Sequence, residues 1–284
     1  PWHGMAENAA KRFRASSSPA VPMKYSRVVT IRTKQGDTEA WNRIGECALG
    51  EDGSGGSQAP SVFVAPSQTI ARPWLGFGGS FTEAATETLR KLTSGRRDEV
   101  LKACFDKEVG LAYNLGRVSI GSCDFGLGNW TCGDLIEGDQ ELKGFSLEHY
   151  EASILPTMQD AMKVAGPLLI LASPWSPPAW MKTKREFKGD GHLKQDCYGV
   201  WALHFVRFVQ EMEKKGMPIW AVTVQNEPEA AQIWESCIYT AEEERDFVRD
   251  YLGPAFEAAE MSKVKIIIWD RKNEDEAIHE LKAR

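Results

Sequence analysis

Apolar and polar positions along this chain of 284 residues change rhythm near Val62. Before that point the pattern is weak. Residues 1–26 are polar and mixed, with Ser16-Ser17-Ser18-Pro19 near their centre and no steady period, and read as an extension. RVVTIRT, residues 27–33, has the β-branched content of a strand, and EDGSGGSQ, residues 51–58, has the composition of a flexible loop. From Val62 onward short β-rich runs alternate with longer stretches at helical spacing. The runs predict strands over 75–81, 113–121, 168–173, 220–225 and 264–269. Between them, Tyr150, Ile154, Met158 and Met162 recur at helical intervals, as do Trp201, Phe205, Phe208 and Met212, and again Phe247, Tyr251, Leu252 and Phe256. Thr240 and Glu243 have the spacing of a capping box at the start of the last helix.

Strand followed by helix, repeated in this way, implies a parallel sheet with right-handed crossovers, either an open doubly wound sheet or a (β/α)8 barrel. The residues after the strand ends favour the barrel. Thr82 and Glu83, Ser122 and Asp124, Ser173 and Trp175, Asn226 and Glu227, and Asp270 each follow a predicted strand. In a barrel those ends converge on one face and line one pocket.

Composition narrows the functional classes. The net charge of −6 comes without a basic stripe, which argues against nucleic acid as a partner. No apolar run approaches the ~18 residues of a transmembrane helix. The six cysteines lack the paired spacing of a zinc site, and the five histidines are too scattered to suggest a metal centre. Gly76, Gly78 and Gly79 would need a further glycine at 81 for a dinucleotide fingerprint, where Phe81 stands, so no cofactor is expected. Asn129-Trp130-Thr131 is a glycosylation acceptor triplet, and no signal sequence is legible at the start. The compartment stays open. Lys182 to Lys188 form a basic cluster that reads as a solvated loop or as a contact with an anionic lipid surface.

WAVTVQNEPEAA, residues 220–231, places a carboxylate at the end of a buried apolar run. Such a charge is costly unless it is paired, hydrogen-bonded or used. Glu227 is therefore a candidate catalytic acid, with a solvated glutamate in a βα loop as the competing reading. Successive strand residues face opposite sides, so Asn226 and Glu227 both reach one ligand only if the strand end twists or bulges. Among the ten tryptophans, Trp74, Trp130, Trp175, Trp180 and Trp234 lie beside proline or polar residues and are candidates for stacking on a ligand as well as for core packing.

Together with GFGGSFTEAA (76–85), GRVSIGSCDF (116–125) and LASPWSPPAWMKT (171–183), that stretch resembles glycoside hydrolase family 30, which includes glucosylceramidases and β-1,6-glucanases. The motifs occur in the family's order, and the resemblance covers roughly residues 62–273. It implies a (β/α)8 TIM barrel over 74–284, part of a β-sandwich side domain over 27–73, and hydrolysis of a β-glucoside, glycolipid or glucan, with retention by two glutamates. On this resemblance Glu227 is the general acid/base and Asn226 binds the hydroxyl beside the reacting carbon. Asp124 binds sugar hydroxyls next to Trp175, and Arg117 stands one layer behind; without the family, an ion pair for Arg117 and Asp124 and core packing for Trp175 would be preferred. A secreted or lysosomal setting would also be in keeping with the family.

Retaining chemistry requires a second carboxylate about 5–5.5 Å from the first. The family carries it after the seventh strand, whereas the pattern here supplies five. The expectation is a barrel broken off after about five β/α units, with the nucleophile strand beyond Arg284. Glu83, Asp124 and Asp270 follow other strand ends, and nothing in the sequence singles one out as a substitute.

Overall fold

The computed structural model describes residues 27–32, 42–48 and 74–270, so the polar extension and the 51–58 loop lie outside the described residues. The chain divides into two compact units, Pro1–Pro73 and Trp74–Arg284. In the first, β1 (Arg27–Arg32) and β2 (Asn42–Ala48) pair antiparallel, with a register shift between Thr30 and Ile31. β1 lies where the β-branched run predicts it. β2, NRIGECA, has Ile44 as its only β-branched residue and escapes the pattern.

The second unit runs β3 (Gly78–Ser80), α1 (Glu83–Arg90), α2 (Ser94–Phe105), β4 (Leu115–Ile120), α3 (Glu148–Ala152), α4 (Ile154–Ala165), β5 (Leu169–Pro174), α5 (Tyr198–Lys214), β6 (Ile219–Thr223), α6 (Ala241–Phe247), α7 (Gly253–Ala258) and β7 (Lys265–Ile267). Its five strands are parallel, and consecutive strands are neighbours throughout. A doubly wound sheet reverses its strand order at a switch point; the unbroken order seen here is that of a barrel wall.

The predicted strands are all present: β3, β4 and β7 are shorter at both ends, β5 runs on to Pro174, and β6 starts earlier, at Ile219. Burial explains the core of the wall: Val118, Ile120, Ile170, Ala172 and Val222 lie at 0–1% exposure against the helices. Trp201, Phe205, Phe208 and Met212, the predicted stripe of α5, are fully buried and meet Tyr150 and Met158 in the same cluster. Each such side chain contributes about 1.5–3 kcal/mol of transfer free energy. Gly116 permits this closeness. A Cβ there would come within 2.6 Å of the Phe81 ring and 2.9 Å of Ile170 Cδ1.

Helix boundaries follow local chemistry. Thr82, Thr93 and Thr240 cap α1, α2 and α6, and the last forms the predicted capping box with Glu243. The period does not reveal α2, which buries only Leu101 and Phe105. The helix expected through Tyr150 and Met162 is broken at Ser153, because Pro156 has no N–H to give the Ala152 carbonyl. Ser153 instead meets the buried Thr86 hydroxyl at 3.0 Å. Pro254 has a similar effect before α7: residues Val248–Leu252 form a π turn in which the Gly253 N–H reaches back to the Val248 carbonyl.

Glu244 on α6 is 1% exposed and accepts a hydrogen bond from the Trp269 amide at 3.2 Å. Burial pushes its carboxyl up to about 7, against the lowering effect of the Trp269 amide and with the charges of Asp270 and Glu229 adding to it. The folded state therefore holds this proton more tightly than the unfolded chain does. Stability is unaffected by the group below its unfolded value of 4.5 and falls as pH rises from there to about 7, by roughly 3 kcal/mol. Glu244→Gln keeps an acceptor for Trp269 and removes that penalty. Denaturant titrations should find the variant little changed at pH 4 and more stable than the parent, by up to about 3 kcal/mol, at pH 7.5.

Candidate active site

The C-terminal ends of β3 to β6 open on a cleft of about 550 Å³. Ser80, Phe81 and Thr82 enter it from β3, and Arg117 and Ser119 from β4. The loops that follow supply Asp124 and Phe125, then Trp175, then Asn226, Glu227 and Trp234. All five residues singled out by the sequence, Glu227, Asn226, Asp124, Trp175 and Arg117, thus line one cavity. Of the three other strand-end carboxylates considered above, Asp124 is in the lining, whereas Glu83 and Asp270 are held behind it.

The backbone shows how neighbours 226 and 227 share this cleft. Pairing continues past β6, where Asn226 N–H donates to the Pro174 carbonyl and Glu227 N–H to the Asp270 carbonyl, both at 2.8 Å. Between these two bonds the chain twists, and Glu227 adopts a φ of +48°. For a residue with a Cβ this left-handed conformation is uncommon and is held by its surroundings. It is the local twist that the alternation of strand side chains requires. Pro228 then ends the ladder, its carbonyl accepting from Tyr239 N–H at 2.7 Å.

A polar network fixes the side chains from below. Arg117 donates to Asn226 Oδ1 at 2.9 Å, to Asp270 Oδ2 at 2.6 Å and to Ser173 Oγ at 3.1 Å. Asp270 Oδ2 also accepts from Thr223 at 2.9 Å and Ser173 at 3.2 Å. The guanidinium lies 4.7 Å from the Trp175 ring centre, a cation–π arrangement. The Asn226 oxygen is therefore committed to Arg117, and its amide nitrogen is the group left to donate elsewhere. Gln225, fully buried, donates to the carbonyls of Trp175 and Asn226 at 2.7 and 2.9 Å, tying two cleft residues together. Glu227 is half-buried and accepts from Gln232 at 3.3 Å.

Other predicted candidates lie elsewhere. Trp130 and Trp180 are buried, and Trp74 is exposed away from the cleft lining. Within the basic cluster Lys182 is fully buried and donates to the Phe187 and Ser236 carbonyls, whereas Lys184, Arg185 and Lys188 are exposed, Lys184 pairing with Asp190 and Arg185 with Glu137. No helix among the described residues is long and apolar enough to cross a membrane. The sequence reading missed Phe81, Phe125 and Gln232. Phe125 directly follows Asp124 and is 60% exposed, yet nothing in an isolated phenylalanine announces a cleft wall.

Comparison with known proteins fits this geometry. Residues 75–277 match the glycosyl hydrolase family 30 TIM-barrel domain. The chain belongs to glycosyl hydrolase family 30. Lysosomal acid glucosylceramidase of Mus musculus is 34% identical over 205 residues, which covers 69% of this chain and 39% of that protein. Endo-1,6-beta-D-glucanase of Neurospora crassa is 30% identical, covering 70% of this chain and 42% of that one. The crystal structure of SrfJ from Salmonella typhimurium superposes with a TM-score of 0.70 at 36% identity, covering 72% of this chain and 46% of the other. This family 30 chain thus spans about two-fifths of the length of the curated relatives it matches.

Proposed function

We propose that this sequence carries the acid/base half of a retaining β-glycosidase acting on a β-glucoside of the glucosylceramide type. In this reading Glu227 protonates the leaving oxygen and later activates water, while Asn226 donates its amide hydrogen to the sugar hydroxyl beside the reacting carbon. Asp124 accepts from further hydroxyls, and Trp175 offers an apolar face beside them. Arg117 holds Asn226 so that its amide nitrogen faces the ligand.

One observation carries the reading. The left-handed turn at Glu227 brings a carboxylate and a carboxamide, adjacent in sequence, into the same cleft as Asp124 and Trp175. The similarity to both a glucosylceramidase and an endo-1,6-glucanase supports a β-glucosidic bond and leaves β-1,6-glucan as the second substrate to assay.

The test is turnover of an aryl β-glucoside by the longest polypeptide that its gene encodes, with the product followed by NMR. Retention predicts that β-glucose appears first and mutarotates afterwards. Initial release of α-glucose, or no turnover of glucosylceramide, β-1,6-glucan or the aryl glucoside, defeats the proposal. The 284-residue chain assayed alongside tells whether it turns over substrate by itself or only binds it.

A further inference from the structure

Two buried carboxylates outside the cleft lining converge on the loop that carries Asp124. Glu83, 8% exposed at the start of α1, accepts through Oε2 from the Leu127 amide at 3.0 Å and from the Trp130 indole N–H at 3.2 Å. Its neighbour Ala84 donates its amide to the Phe125 carbonyl at 2.9 Å. Glu235, 4% exposed on the loop after β6, accepts from the Ser122 hydroxyl, and that hydroxyl in turn accepts from the Trp130 amide at 2.9 Å. Both N–H groups of Trp130 are thus committed, one directly to Glu83 and the other through Ser122 to Glu235.

The Trp130 ring is held as firmly. It stacks on His149 at 4.2 Å and meets Tyr150 edge-on at 5.0 Å. The Tyr150 hydroxyl accepts from the Gly121 amide and donates to the Ser119 carbonyl, both at 2.7 Å. The segment from Gly121 to Trp130 is therefore anchored at both ends, and between the anchors it presents Asp124 and Phe125 to the cleft. Glu235 ties this segment to the loop bearing Trp234, which lines the same cavity.

We infer that Glu83 and Glu235 are positioning residues for sugar binding: through Trp130 and Ser122 they hold the strand-end loops after β3, β4 and β6 in register, so that Asp124 and Trp234 face one sugar. This rests on the reading of the cleft as a sugar site. A buried carboxylate is a costly way to anchor a loop, since removing it leaves N–H groups without acceptors. It also gives stiffness that a hydrophobic contact lacks, because each oxygen fixes a direction as well as a distance.

Steady-state kinetics of the longest polypeptide encoded with this sequence test the inference. Loss of positioning weakens ground-state and transition-state binding alike, so Glu83→Ala should raise KM for an aryl β-glucoside about tenfold and leave kcat within about twofold. Glu83→Gln retains an oxygen acceptor and should recover most of that loss. Ser122→Ala and Glu235→Ala should each raise KM, and the double variant should be no worse than the poorer single one, because they break the same link. Amide exchange at Leu127 and Trp130, read in the same proteins, should quicken in Glu83→Ala and return towards the parent rate in Glu83→Gln.

An unchanged KM in Glu83→Ala overturns the inference, whether or not exchange quickens. So does a fall in kcat alone, or a double variant whose losses multiply. Should the parent protein bind a β-glucoside without cleaving it, the glycosidase reading fails by itself, and the same contrasts are then read in Kd.

Discussion

Glu227→Gln should lower kcat of the full gene product on a β-glucoside with a poor leaving group by about 10³-fold, within the range by which general acid/base catalysis accelerates proton transfer. Glutamine is nearly isosteric, so the turn at 227 and the bond that the 227 amide donates to the Asp270 carbonyl are retained. What disappears is the ionisable carboxyl that gives a proton in the first step and takes one in the second. An aryl glucoside with an acidic phenol needs little protonation to leave, so its first step should be spared and its second, which needs a base, should not. The glycosyl-enzyme then accumulates, KM falls together with kcat, and a burst of phenol precedes slow turnover. Equal kcat values for the parent and the variant on alkyl glucosides would remove Glu227 from the chemistry.

The second large effect is expected at Arg117. Its side chain is about one-quarter exposed and bridges Asp270, Asn226 and Ser173. Arg117→Ala leaves the Asp270 carboxylate with only the Ser173 and Thr223 hydroxyls among those contacts, and frees the Asn226 amide to rotate. Removing one partner of a fully buried pair costs about 3–5 kcal/mol; at this partial exposure we expect about 2 kcal/mol of unfolding free energy. Affinity for a β-glucoside should fall at least tenfold, because Asn226 loses the contact that selects its donor orientation. Arg117→Lys should restore part of the stability and little of the affinity, since an ammonium cannot reproduce the fork that reaches three acceptors. Chemical denaturation and a glucoside titration on the same preparations separate the two effects. A variant as stable and as avid as the parent would show that the network is ornamental.

Much of this was legible in the sequence, and the reasons differ from element to element. The five strands stood out because a parallel wall buried behind helices needs continuous apolar runs, as in LILASP and IWAVT. The stripe of α5 was legible because Trp201, Phe205, Phe208 and Met212 repeat its period. α2 was not, since a helix that buries two side chains leaves almost no periodic trace. Asn226 and Glu227 could be nominated from their place after a strand, but their shared cleft depends on a φ angle that no residue type dictates. The anchoring roles of Glu83 and Glu235 were hidden for another reason. Their partners lie 44 and 113 residues away, and such distances acquire meaning only once the strands are in register.

The clamp on residues 226 and 227 is made from main chain: a carbonyl at 174 on one side and another at 270 on the other. Because no side chain participates in those two bonds, the motif is portable in principle. A designer grafting an Asn-Glu pair onto an unrelated barrel would need the stagger of three adjacent strand ends for the backbone, and a donor such as Arg117 beneath it to orient the amide.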